Sequence, residues 1–159
     1  MRSLKHVFQV SLVVSAVFAA SSAHAGLKPF QAKAKAESEK SLSSDIAALN
    51  KTCGTKIEVS LDMSAYTGDD WTHFIGEKPG QICGHALGGV EQLCKDAAYK
   101  SAVAEHLKKI TCSCDGSAEP IEKNLSFSGG AYSFKMNPKH DNMNPSISAK
   151  QFLAKELNK

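Results

Sequence analysis

The sequence predicts an α+β domain, a small antiparallel sheet of about four strands packed against helices and stabilised by disulfides. Three observations carry that prediction. First, "KNLSFSGGAYSFKM" places two alternating runs around Gly129–Gly130, the composition of a two-residue hairpin turn. With that turn Phe127 faces Tyr132 and Leu125 faces Phe134, so both pairs fall on one side of a hairpin within 122–136. Second, helical and strand periodicities alternate along the chain. Third, five cysteines, Cys53, Cys83, Cys94, Cys112 and Cys114, are dispersed behind an export leader, where cysteines usually pair.

The leader is read first. "MRSLKH" is basic, "VFQVSLVVSAVFAA" is continuously apolar, and Ala23–His24–Ala25 supplies the small residues of a cleavage site. These are the three parts of a secretory signal peptide over residues 1–25. The apolar run is shorter than the roughly 20 residues that a spanning helix needs, and no later stretch is a candidate to cross a membrane. The expected location is therefore periplasmic or secreted. The leader holds Arg2 and Lys5 and no acid, so its removal lowers the formal charge from +3 to +1. What remains has the length of one domain: a flexible leader or helix start over 26–40, then a single α+β domain over 41–159.

Within that domain, Leu42, Ile46 and Leu49 recur at helical spacing, and Cys53–Gly54 marks a helix end. Ile57, Val59, Leu61 and Met63 alternate with polar residues, as in a half-buried strand. Glycine and proline break up residues 64–81, with Trp71, Phe74 and Ile75 as anchors. Cys83, Ala86, Leu87, Val90 and Cys94 share a helical stripe, and Gly84 and Gly88 share a face suited to close approach of another backbone. Asp96 is placed to cap a second helix, whose apolar face takes in Tyr99, Val103, His106, Leu107 and Ile110; His106 is read there as a core histidine. In "ITCSC", extended backbone turns Ile110, Cys112 and Cys114 to one side. The closing segment is expected to start as a helix at Ser148, with a Ser148–Gln151 capping box and an Ile147–Phe152 staple.

Geometry restricts the disulfides without choosing one pattern. An odd count leaves at least one thiol over. Cys112 and Cys114 in an extended strand have Cα atoms about 6.6 Å apart, near the upper limit for a bond between them. Cys83 and Cys94 lie roughly 16 Å apart along a continuous helix. A helix hairpin would return Cys112 or Cys114 to Cys83 and leave Cys53 for Cys94.

The functional expectation is a non-catalytic binding or accessory protein, with partner unknown. No clustered positive face points to nucleic acid, because Glu37 and Glu39 interrupt the lysines of "KPFQAKAKAESEK". No cofactor motif is present, and the expected metal set is none. The tight "CSC" pair with His85, or the soft groups Met136, His140 and Met143, are the only groupings that suggest a metal. The alternative is a small exported enzyme or metal/thiol protein, using the 66–85 loop and the Cys112/Cys114 strand. Its catalytic candidates are Asp69, Asp70 and His73 of "GDDWTH", two carboxylates and an imidazole able to do acid–base chemistry if shielded from water.

Overall fold

A computed structural model describes residues 26–68, 78–115, 124–136 and 144–159. The leader over 1–25 and the "GDDWTH" candidates lie outside these. The elements are α1 (Pro29–Cys53), β1 (Glu58–Asp62), α2 (Pro79–Leu93), α3 (Ala97–His106), β2 (Lys109–Cys114), β3 (Leu125–Ser128), β4 (Ala131–Met136) and α4 (Pro145–Glu156). The expected α+β class, with four strands, helices against them and two disulfides, is what the chain forms.

The sheet is mixed rather than wholly antiparallel. Its order is β1-β2-β4-β3, with β1–β2 and β2–β4 parallel and only β3–β4 antiparallel. β2–β4 is parallel because β3, antiparallel to β4, comes between them in the chain; for β1–β2 the cause is the connection between them. That stretch contains α2 and α3 and is long enough for the crossover that a parallel pair requires. The hairpin register is the expected one, Phe127 opposite Tyr132 and Leu125 opposite Phe134. Gly129 and Gly130 both take positive φ, 57° and 80°, as a tight hairpin turn of this hand requires.

One face of the sheet carries the core. Leu61, Ile110, Cys112, Tyr132 and Phe134 are all at most 3 % exposed there. The Tyr132 ring lies 6.0 Å from that of Phe152 on α4. Its hydroxyl has no hydrogen-bond partner among the described residues. The other face is polar: Ser60, Thr111, Ser133 and Ser126 form one row across all four strands. Ser60 and Thr111 share a hydrogen bond there at 3.1 Å.

Helix α2 lies between α1 and α4. Gly80 faces Ser38 of α1, where an added Cβ would sit 2.9 Å from the Ser38 Cα. Gly84 faces Leu42 and Asp45. Further along, Thr52 hydrogen-bonds Glu91 at 3.1 Å, so α1 and α2 run side by side in the same direction. The expected Gly84–Gly88 pair is split: Gly88 meets nothing within 4 Å, while Gly89 packs directly on the Ser146 carbonyl of α4. One residue turns a helix by about 100°, enough to exchange an open face for a crowded one.

Helix ends account for the other differences. α1 begins at Pro29, so most of the anticipated leader is helix, and it ends on Gly54 at φ 69°. Asp96 caps α3, accepting from the Ala98 and Tyr99 amides. α3 stops at His106, which is exposed and 3.8 Å from Glu105, not a core residue. Leu107, one position beyond, turns into the core in its place. α4 starts four residues earlier than the Ser148 box implies. Asn144 is its cap, accepting from the Ile147 amide at 3.1 Å, and Pro145 holds the first position. Ile147 is consequently half exposed instead of stapling a helix start.

Candidate functional site

Two side-chain amides of α1 hold the two ends of β1. At the start of the strand, Asn50 Oδ1 accepts from the Ile57 amide at 2.8 Å, and its Nδ2 donates to the Ile57 carbonyl at 3.4 Å. Past its finish, the buried Gln31 donates Nε2 to the carbonyls of Ser64 and Tyr66, at 2.9 and 3.0 Å. The lengths match: about 28 Å of helix from Gln31 to Asn50 against roughly 23–30 Å of strand and exit loop. β1 therefore runs opposite to α1 and α2. The carboxyl end of β1 lies beside the amino ends of both helices.

A cleft of about 740 Å³ opens at that end. Phe30, Lys33 and Glu37 line it from α1, Tyr66 from the exit of β1, and Lys78 and Gln81 from the start of α2. Phe30 is 43 % exposed, and its ring centroid lies 6.2 Å from that of the mostly buried Tyr66. The cleft thus has an aromatic wall and two lysines, with the carboxylate of Glu37 close by.

Sequence periodicity does not reveal this site, yet a signal for it is present. Both helices begin with Lys-Pro-x-Gln, Lys28–Gln31 and Lys78–Gln81. In each, proline occupies the first turn and the glutamine Oε1 accepts from the preceding lysine amide, at 2.8 and 3.0 Å. This is one half of a capping box, made without a Ser or Thr cap.

The cysteines have separate fates. Cys53 is bonded to Cys94 and Cys83 to Cys112, leaving Cys114 free and buried. The first bond joins the carboxyl ends of α1 and α2; the second ties α2 to the middle of the sheet. A Cys112–Cys114–His85 metal set does not form, because Cys112 is bridged; His85 is exposed on α2. Burial, reinforced by the charge of Asp62, pushes the Cys114 thiol up to about 12. At neutral pH it is a protonated thiol and a poor nucleophile. Asp69, Asp70 and His73 are outside the described residues; Gly68 and Lys78, which flank their loop, border the cleft. Among the described residues no three of His, Cys, Asp and Glu group as a metal site, and no helix is long and apolar enough to cross a membrane.

Comparison of the chain with protein-family models, curated proteins and solved structures gives no match. The two disulfides are compatible with an exported small domain.

Proposed function

We propose that the protein is an exported binding or accessory domain, periplasmic or secreted, that works without catalysis and takes its ligand in the cleft between α1, α2 and the exit of β1. The observation that carries this reading is the position of the cleft. Ligands of sheets with parallel strands and packed helices gather outside the strand carboxyl ends, where helix amino ends converge. The lining suits an amphiphilic ligand. An apolar or aromatic part would rest on Phe30 and Tyr66, and an anionic group would face Lys33 and Lys78. The four bridged cysteines support export, since such bonds persist in an oxidising compartment.

The test uses 8-anilinonaphthalene-1-sulfonate, an aromatic anion, titrated into nitrogen-15-labelled protein. Amide shifts are expected to concentrate at Phe30–Ser41, Tyr66–Gly68 and Lys78–Gln81. Phe30→Ala is expected to weaken binding at least fivefold. Shifts gathered on the polar sheet face instead, or an unchanged affinity in Phe30→Ala, would remove the cleft as the binding surface.

A further inference from the structure

Three sulfur-bearing residues that belong to no disulfide lie in one row at the carboxyl ends of β1, β2 and β4. Met63 directly follows β1, Cys114 ends β2 and Met136 ends β4. Cys114 and Met136 are register partners. The Cys114 thiol donates to Met63 Sδ at 3.6 Å. Met63 and Met136 are fully buried, and Cys114 is 5 % exposed. Every thioether and free thiol among the described residues is in this row. A core filled by sulfur at random would scatter them.

We propose that Met63, Cys114 and Met136 form a site for a soft monovalent cation, Cu(I) or Ag(I). Thioether and thiolate are the ligands that select such ions. The spacing fits. Two sulfurs bonded to one cation at roughly 2.3 Å each, a metal–thiolate length, and lying 3.6 Å apart, subtend about 100° at the metal. Charge decides the valence. Binding replaces the Cys114 proton, which leaves to solvent, so one thiolate meets one positive charge and the buried site is neutral. A divalent ion would leave an uncompensated charge among apolar side chains, which is costly. This site is separate from the cleft and does not depend on it.

The experiment is an anaerobic Cu(I) titration of the disulfide-bonded protein in competition with bicinchoninate. One equivalent is expected to be retained, with a sulfur-to-copper charge-transfer band in the near ultraviolet. Cys114→Ala is expected to abolish retention, and Met63→Leu and Met136→Leu each to weaken it at least tenfold. The two leucine variants keep core volume, so they carry the test if Cys114→Ala does not fold. No copper held against the chelator would overturn the proposal. Retention unchanged in Cys114→Ala or in both leucine variants would do the same. So would binding lost in His140→Ala/Met143→Leu while Cys114→Ala keeps it, since that places the ion in the 137–143 segment.

Discussion

At the amino end of β1, Asn50 holds the strand and Cys53 is bonded to Cys94, so the carboxyl ends of α1 and α2 are covalently joined. At the other end, Gln31 holds the strand exit, but no covalent bond joins the helix starts, and a cleft lies between them. Helix α1 thus carries fully buried Leu49 and Cys53 at one end and half-exposed Phe30 at the other. The comparison teaches a division of labour along one helix pair. The covalent bond between the helices lies where β1 begins. Accessible aromatic and basic groups are left where it finishes.

The largest expected effect comes from the joined end. Removing the Cys53–Cys94 bond as Cys53→Ala/Cys94→Ala opens a loop of separation 41. Unfolding by urea is expected to show a loss of about 4 kcal/mol on the chain-entropy relation, with binding in the cleft little changed. A loss of affinity as large as the loss of stability would show that the two ends are not independent.

Two adjacent glycines sharpen the contrast on a single helix. Gly89→Ala forces a methyl group onto the Ser146 carbonyl and is expected to cost about 1–3 kcal/mol by overpacking. Gly88→Ala meets nothing and is expected to stabilise by up to about 1 kcal/mol through helix propensity. Thermal melts of the two variants should move in opposite directions.

The open end carries a pH dependence of its own. Cys114 is raised in the folded state, from 9.0 to about 12, so its stabilising contribution is complete below pH 9. Above that the unfolded chain gives up the proton while the folded one keeps it. Stability is expected to fall by about 1.4 kcal/mol per pH unit as the pH rises from 9. Cys114→Ala should flatten the profile between pH 9 and 10. Burial raises the Tyr132 phenol as well, and adds a decline of the same sign at still higher pH.

The smallest effect is at the cleft wall. Phe30→Ala is expected to change stability by no more than about 0.5 kcal/mol, as surface substitutions do, while it weakens binding of the probe. A loss above about 2 kcal/mol would mean that the ring belongs to the core.

What was legible in the sequence was local. The hairpin register follows from a two-residue turn and a period of two, which together leave no freedom to slip. Asp96 announces its cap because its carboxylate has amides within reach two and three residues on. The neighbours of each strand were not legible, since alternation states which face is buried but not which strand lies beside it. Parallel pairing therefore had no local signature. The cleft went unread for a related reason: Phe30 and Tyr66 meet only after the fold forms. Gly88 and Gly89 show how narrow the margin is, as a stripe placed one residue off assigns the contact to the wrong glycine. Ser148 resembles a cap, but Asn144, four residues earlier and followed by Pro145, is the stronger start.

The two disulfides interleave along the chain, Cys53 to Cys94 and Cys83 to Cys112. Oxidation in order of emergence would join Cys53 to Cys83 and Cys94 to Cys112, and both bonds would be wrong. Were oxidation to follow that order, the native pairs would be reached by exchange through mixed disulfides and not by simple closure. Cys114 stands two residues from Cys112 and, in the unfolded chain, would be a free thiol available to such exchange. Once β2 takes its place in the sheet the same thiol is buried, and the pairing is locked.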